Sequence, residues 1–171
     1  MKIQGYAKFD STEKYRYLLG RTWDDNLPQI TFVMLNPSTA GAEDDDPTLT
    51  RCIRFAQSWD YGSLTVVNLF AYCATDPKEL FQVNDPVGSE NNSYIQSATQ
   101  SAKEIIVAWG ASDYLKKHRD RETEVLSLIS VSGKTLYSLG DLTVDGHPGH
   151  PLYLPTSTQR KLFPVITDCN S

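Results

Sequence analysis

Residues 30–40 read ITFVMLNPSTA, a nearly continuous apolar run that stops at Asn36 and Pro37. Such a run, without polar alternation, is typical of a strand whose two faces are both covered. In mixed α/β proteins the backbone turns toward a helix where a strand of this kind ends, and the residues of the turn frequently bind ligands. This stretch therefore predicts a buried strand over 30–35 and makes Asn36 a candidate functional residue.

Strands and helices alternate along the rest of the chain. Asp46 stands where an N-cap belongs and Pro47 where a first-turn proline belongs, which predicts a helix through about Trp59. The other predicted elements are a strand at 64–69, a helix start at 76–77, a helix from 89 or 90 to 101, a strand at 104–109, a helix at 111–130 and a strand at 135–139. Alternation of this kind implies right-handed crossovers and a mostly parallel sheet.

The N-terminal region has a different pattern. Two short alternating segments, Gly5–Phe9 and Tyr15–Trp23, flank a turn-like Asp10-Ser11-Thr12, which predicts a hairpin. A length of 171 residues suits one hydrophobic core, so we expect a single domain over 1–171. The predicted fold is a three-layer α/β/α sandwich with a mostly parallel central sheet and an N-terminal hairpin.

Composition narrows the class of protein. Hydrophobic residues make up 40% of the chain and charged residues 22%, and no apolar run has the length of a membrane span. The first residues lack the apolar core of a signal peptide. The cysteine count is three, odd and without C-x-x-C pairing, which favours a reducing compartment. We therefore expect a cytoplasmic protein that does not enter a membrane.

The net charge argues against indiscriminate nucleic-acid binding. It is -5 at pH 7, so the overall field repels a phosphate backbone. A local basic face is compatible with this balance, and Arg51 and Arg54 on the first predicted helix are candidates for nucleic-acid contacts. The alternative is that both are ordinary solvated side chains.

Polar residues follow the predicted strands at one edge of the sheet. The carboxyl ends of parallel strands share that edge, so the residues after them converge in space. The sequence there reads NPSTA, NLFAY, WGASD and LGDLTVDGHPGHPLYLP. We expect one cleft ringed by Asn36, Asn68, Trp109, His147 and His150.

Asparagine and histidine suit different tasks in such a cleft. An asparagine amide offers a donor and an acceptor, which can read a base edge or orient a water molecule. A histidine held in a loop rich in proline and glycine can donate to a carbonyl oxygen that gains charge. The structural alternatives are that Asn36 and Asn68 cap turns and that one histidine only braces its loop. We take His147 as the solvent-facing histidine and His150 as the anchor of the loop.

Other chemistry has less support in the sequence. No glycine-rich phosphate loop is present, and Asp44, Asp45 and Asp46 are consecutive carboxylates without a spaced ligand motif, so we expect neither cofactor nor metal. Cys52 falls on an apolar helical stripe, which favours packing, and the role of Cys73 stays open. Aromatic rings near the cleft, at Phe70, Tyr72, Trp109 and Tyr153, either fill the core or stack on a flat ligand.

Two resemblances emerge from these motifs. Taken together, NPSTA, DDPT, NLFAY, ATDP, DPVG, AWG and HPLYLP resemble a bacterial and phage domain family of unknown function, over roughly Tyr15 to Pro155. The order of features is also similar to the uracil-DNA glycosylase superfamily. In that superfamily one strand ends in a motif that positions water, one in a base-reading asparagine and one in Trp-Gly, and a late His-Pro loop follows.

The second resemblance implies a role for each matching residue. Asn36 would orient the attacking water with Pro37, Ser38 and Thr39 beside it, and Asn68 would read the base edge. Phe70 or Tyr72 would stack, Trp109 and Gly110 would line the site, and His147 or His150 would donate to the base carbonyl. The target nucleotide would be flipped out of its helix. The chain departs from the pattern at Met34-Leu35, where a glycine is usual, and at LYLP, where a serine-rich tail is usual.

Two classes of function follow. The first is an enzyme that hydrolyses an N-glycosidic bond in uracil-containing, damaged or modified nucleic acid. The second is a catalytically inactive module that binds a nucleotide or a protein. Cys73 and Gly149 stand where we expect basic residues in the family of unknown function, which favours the second class, whereas the converging polar strand ends favour the first.

Overall fold

A seven-stranded sheet forms the centre of residues 2–164, the part of the chain that the computed structural model describes. The strands are β1 (Gln4–Phe9), β2 (Arg16–Thr22), β3 (Gln29–Met34), β4 (Ser63–Asn68), β5 (Glu104–Val107), β6 (Leu136–Leu139) and β7 (Arg160–Leu162). They lie in the order β1-β2-β4-β3-β5-β6-β7. The apolar run that begins at Ile30 therefore forms the central strand β3. Every residue of that strand except Gln29 is buried.

The sheet is mixed, so the prediction of a mostly parallel sheet is wrong. β4, β3, β5 and β6 are parallel, and the flanking pairs β1–β2, β2–β4 and β6–β7 are antiparallel. The predicted N-terminal hairpin is confirmed as β1 and β2. It adds to the sheet next to β4, which accounts for the antiparallel margin on that side. On the other side the unpredicted strand β7, whose three residues are too few to show alternation, runs back along β6.

Four α-helices and two 3₁₀ helices connect the strands within residues 2–164. The helices are α1 (Pro47–Ser58), α2 (Asn91–Ser101), α3 (Asp113–Lys117) and α4 (Arg119–Ser130), and the 3₁₀ helices span Pro77–Gln82 and Pro151–Tyr153. α1 starts as predicted, because the Asp46 carboxylate accepts a hydrogen bond from the Leu49 N–H at 2.8 Å. The start predicted at 76–77 is confirmed in position, although it opens a 3₁₀ helix.

The long helix predicted over 111–130 is two helices. The backbone leaves helical geometry at His118, with φ -128° and ψ 45°. Nδ1 of the His118 ring lies 2.8 Å from the Tyr114 carbonyl oxygen, which the His118 N–H would otherwise meet in a continuous helix. The His118 N–H bonds instead to the Leu115 carbonyl, which tightens and ends α3.

Helices cover both faces of the sheet. On one face Phe32 and Met34 pack in a cluster with the buried residues of α1. On the opposite face Val33 and Leu35 pack with buried residues of α2 and α4. This alternation explains the continuous apolar run of β3, since each side of that strand meets a helix. Within residues 2–164, no helix has the length and apolar character that crossing a membrane requires.

Candidate functional site

A cavity of about 840 Å³ opens at the carboxyl ends of the parallel strands, on the face of the sheet that α1 covers. Met34 and Val66 form its floor, the first turn of α1 forms one wall, and residues 149–154 form another. Ligands of open α/β sheets bind at this edge, in the crevice beyond the strand ends. The volume is that of a site for a small molecule or a nucleotide.

The structure brings together just over half of the predicted site residues. Those that line the cavity are Asn36, Ser38, Thr39, Asn68, Trp109, Gly110 and His150. They follow β3, β4, β5 and β6, as the shared edge of parallel strands predicts. Those that lie outside the cavity are Pro37, Phe70, Tyr72, Arg51, Arg54 and His147.

Asn36 both braces its loop and faces the cavity. Its Nδ2 donates to the carbonyl oxygens of Pro37 at 3.0 Å and Ala74 at 2.7 Å. Among the described residues its Oδ1 has no hydrogen-bond partner. The amide is therefore held in one orientation and presents a fixed acceptor, so the structural and functional interpretations of Asn36 are compatible.

Among the side-chain amides on the cavity wall, that of Asn68 makes the fewest hydrogen bonds. It is only 3% exposed, and Met34 on β3 is its partner in the parallel register. Its backbone carbonyl accepts a hydrogen bond from Asn91, but its side-chain amide has no hydrogen-bond partner within residues 2–164. Its amide atoms are not enclosed by protein, so they face the cavity and can form hydrogen bonds with a ligand there.

His150 presents one ring nitrogen to its own loop and has the other free. Its Nδ1 accepts a hydrogen bond from the Leu152 N–H at 3.2 Å, so the proton of the neutral ring sits on Nε2. Burial lowers the pKa of His150, with Asp46 opposing that effect in part, which favours the neutral form. Gly110 holds the loop close: its N–H donates to the Pro148 carbonyl at 3.0 Å.

Gly110 also has a conformation that suits glycine. Its φ is +73°, and a Cβ at this position would come within 3.4 Å of the His150 Cβ. A side chain there would meet backbone strain, whereas its contact with His150 would be an ordinary van der Waals contact. The Trp-Gly that ends β5 therefore helps to seat the histidine loop.

His147 is buried, and the prediction that it faces solvent is wrong. It is 2% exposed and does not line the cavity. Its Nε2 lies 3.5 Å from an Arg119 nitrogen and its Nδ1 lies 3.6 Å from the Glu122 carboxylate. Its backbone N–H donates to the Thr143 hydroxyl. These contacts place the ring of His147 against α4, although Nδ1 itself has no hydrogen-bond partner within residues 2–164.

The two candidate stacking rings lie elsewhere. Phe70 packs edge-on against Tyr114, with ring centroids 5.0 Å apart, and Tyr72 packs against Tyr15 at 5.6 Å. Both rings are thus used within the protein. The aromatic residue available at the cavity is Tyr153, which is 81% exposed and has its ring 5.5 Å from that of His150.

The remaining predicted residues serve the fold around the cavity. Nη1 of Arg51 donates to the Leu154 carbonyl at 2.7 Å and so fastens the rim to α1. Arg54 is exposed on the same helix. Pro37 is buried, and its carbonyl accepts from the Ala74 N–H at 2.9 Å. None of these three forms part of the cavity wall.

Sequence reasoning missed Arg16, a buried cation of the cavity wall. Arg16 is 4% exposed, and burial lowers its pKa to about 10, so it stays protonated at neutral pH. The available signal was an arginine inside the apolar run Tyr15–Leu19, where a solvated charge is unexpected. Asp46, foreseen only as the N-cap of α1, also lines the cavity.

Thiol and metal chemistry have no support in the geometry. Cys52 is buried in α1 and Cys73 is half-buried outside the cavity, and burial raises the pKa of both thiols. Neither is therefore an activated thiolate at neutral pH. Among residues 2–164, no group of three or more histidine, cysteine or acidic residues is placed to hold a metal ion.

Fold and cavity together define a mixed α/β domain with a pocket of nucleotide size, lined by both apolar and polar side chains, at the carboxyl edge of its parallel strands. The chain belongs to the DUF1643 family, described as proteins of unknown function, which matches residues 16–152. That span holds most of the cavity wall, including Arg16, Asn68 and His150. No curated protein and no solved structure matches the chain. Nothing in these comparisons links it to uracil-DNA glycosylases.

Proposed function

We propose that this chain hydrolyses an N-glycosidic bond in uracil-containing, damaged or modified nucleic acid, on a fold related to that of uracil-DNA glycosylases. The observation that supports it best is the side-chain amide of Asn68, which lies on the cavity wall and has no hydrogen-bond partner within residues 2–164. A base edge offers adjacent donor and acceptor groups that pair with such an amide. Asn68 is then the residue that reads the base.

The reaction follows from the groups around that base. Oδ1 of Asn36 accepts a hydrogen bond from a water molecule and directs it at the anomeric carbon. As the glycosidic bond breaks, its electron pair moves into the base, and Nε2–H of His150 donates to the carbonyl oxygen that gains charge. Water supplies the hydroxyl group that replaces the base, and its remaining proton passes through solvent to the departing base anion, so no cofactor is required.

Access to the cavity also suits a flipped nucleotide. The cavity is bounded by the sheet and α1 and has the exposed ring of Tyr153 at its rim. A base stacked on that ring gains roughly 1–3 kcal/mol, which offsets part of the cost of leaving the duplex. A reducing cytoplasmic compartment, as the cysteine pattern predicts, is where a substrate of this kind is found.

Binding without turnover is the second candidate function. It is favoured by the bonding of Asn36, since both of its Nδ2 contacts go to backbone carbonyls and only Oδ1 remains for a water molecule. The net charge of -5 also favours a small nucleotide over a long strand. In this case the same cavity and the same Asn68 contact would serve as a sensor.

One experiment separates these functions. End-labelled single- and double-stranded oligonucleotides containing uracil or a modified base are incubated with the protein and then cleaved with alkali at abasic sites. We expect scission with the wild-type protein and with Asn26→Leu, a matched change at an exposed loop position outside the cavity. We expect no scission with Asn68→Leu. Absence of scission for every substrate, together with a rise in Tm on adding nucleotides, would identify the binding module instead.

A further inference from the structure

A second group on the cavity wall lacks partners, the guanidinium group of Arg16 at the start of β2. Nη1 donates to the Ala40 carbonyl at 2.9 Å. Nε is enclosed without a hydrogen-bond partner, and Nη2 has none among residues 2–164. No carboxylate of the described chain forms an ion pair with Arg16.

The two other buried arginines show what Arg16 lacks. Arg21 is 3% exposed and pairs with Asp45, with Nε 3.0 Å from the carboxylate oxygen. Arg121 is 5% exposed and pairs with Glu124. A buried charge without a partner is strongly unfavourable. Arg16 is thus the exception among buried arginines, and it is the one that faces the cavity.

The carboxylate that lines the same cavity has another role. Asp46 accepts the Leu49 N–H at 2.8 Å and caps α1. Against the larger effect of burial, its charge raises the pKa of Arg16, but the two side chains form no ion pair. Arg16 is the one arginine or lysine on the wall and Asp46 the one carboxylate, within the described residues. Nε is enclosed by protein, so Nη2 is the guanidinium nitrogen that can bind something that enters the cavity.

The position of Arg16 relates it to the base-reading residue. β2 runs antiparallel to β4, with Leu19 opposite Val66, so the start of β2 lies at the same edge of the sheet as Asn68, the last residue of β4. Arg16 and Asn68 both line the one cavity. A ligand that placed a base against Asn68 would bring its sugar-phosphate within the same space.

We propose that Arg16 forms an anion subsite that binds a phosphate group of the substrate, so that the substrate is a nucleotide or a strand and not a free base or nucleoside. Phosphate oxygens match the planar array of donors on a guanidinium group. The assignment of the base end to Asn68 rests on the proposed function. The phosphate belongs either to a mononucleotide or to a strand, and the ligands of the test distinguish these sources.

The test is a set of dissociation constants measured by calorimetry on the full chain. The ligands are deoxyuridine, its 5′- and 3′-monophosphates, a trinucleotide with central uracil, and inorganic phosphate. We expect at least one phosphorylated ligand to bind about tenfold or more tightly than deoxyuridine, which corresponds to one hydrogen-bonded charge pair. Equal affinity for deoxyuridine and all phosphorylated ligands in the wild-type protein would overturn the proposal without any variant.

Variants then locate the effect. Arg16→Gln should remove the preference for phosphate, and Arg16→Lys, which keeps the buried charge, should retain part of it. Lys8→Gln removes an exposed charge on β1 outside the cavity and should change nothing. A preference for phosphate that persists in both Arg16→Lys and Arg16→Gln would place the subsite elsewhere and contradict the proposal. If Arg16→Gln does not fold, Arg16→Lys decides alone: a reduced preference for phosphate supports the proposal, and an undiminished preference contradicts it.

The two proposals fail in different ways. Phosphate preference that depends on Arg16, in a protein that cleaves no glycosidic bond, would sustain the subsite and reject hydrolysis. Scission of oligonucleotides with equal binding of nucleoside and nucleotide would sustain hydrolysis and reject the subsite.

Discussion

Nδ1 of His150 accepts a hydrogen bond from the Leu152 N–H at 3.2 Å, at the start of the 3₁₀ helix Pro151–Tyr153. This contact fixes the ring and its tautomer together, because the neutral imidazole must then carry its proton on Nε2. His150 lines the cavity, whereas His147 does not. Of the two histidines of the loop, His150 is therefore the one that can donate to a bound ligand.

Two substitutions of His150 separate its contacts. The Oδ1 of His150→Asn can still accept from the Leu152 N–H, but this variant has no donor at the position of Nε2. His150→Gln places an amide donor near that position. We expect the single-turnover rate on a cleaved oligonucleotide to fall by roughly 10²–10³-fold in the asparagine variant, as for loss of one oxyanion donor, and by much less in the glutamine variant. Equal rates in wild type and His150→Asn would exclude His150 as the donor.

The buried ring of His150 also makes stability depend on pH. Its folded pKa lies below the unfolded value of about 6.5, so the unfolded chain binds more protons in the window between the two values. The contribution of neutral His150 to the free energy of unfolding is fully present above about pH 6.5. It is lost as the pH falls toward the folded pKa. Urea midpoints from pH 5 to 8 should therefore decline more steeply on the acid side for wild type than for His150→Asn. Parallel curves for the two proteins would refute this account.

Asn36 should contribute to stability whether or not the protein is an enzyme. Asn36→Ala removes hydrogen bonds to the carbonyls of Pro37 and Ala74, each worth about 0.5–1.5 kcal/mol. We expect a lower free energy of unfolding by about 1–3 kcal/mol, measured by urea denaturation. The matched change Asn26→Ala, in an exposed loop, should stay within about 0.5 kcal/mol of wild type. A loss no greater than that of Asn26→Ala would show that the Asn36 contacts do not brace the loop.

His147 should affect folding more than chemistry. His147→Ala removes the contacts to Arg119 and Glu122 and leaves a space in a buried part of the loop. We expect a lower Tm, by thermal unfolding, together with oligonucleotide cleavage at 25 °C close to that of wild type. A loss of cleavage as large as in His150→Asn, without a change in Tm, would return His147 to the active site.

The sequence predicts the parallel strands at the centre of the sheet well. It predicts poorly where the antiparallel strands at the two edges of the sheet pair. Helices pack on both sides of β3, so both faces of that strand are buried. Burial of both faces accounts for its continuous apolar sequence. The Asp46-Pro47 pair likewise predicts the start of α1, because an N-cap depends only on neighbouring residues. The positions of the antiparallel strands β2 and β7 in the sheet depend instead on pairing with strands distant in sequence. The residues of β2 and β7 do not predict that pairing. The break at His118 depends on one side chain that competes for the Tyr114 carbonyl.

The same division holds for the cavity. Asn36 and His150 come after parallel strands, and Asn68 is the last residue of one. The topology of the sheet alone therefore predicts that these three residues lie close together. Which histidine faces inward depends on contacts with α4, which the loop sequence does not encode. Arg16 was missed because it comes from the antiparallel hairpin, which adds to the sheet beside β4 and extends the cavity wall.

The most direct test of the central claim compares Tm with and without a uracil nucleotide for wild type and Asn68→Leu. Leucine has nearly the shape of asparagine, and the Asn68 amide makes no hydrogen bond within residues 2–164 that the substitution would break. We predict that Asn68→Leu has an unchanged or higher Tm alone and shows no rise with nucleotide, whereas wild type does. A nucleotide-dependent rise of equal size in both proteins would contradict base reading by Asn68.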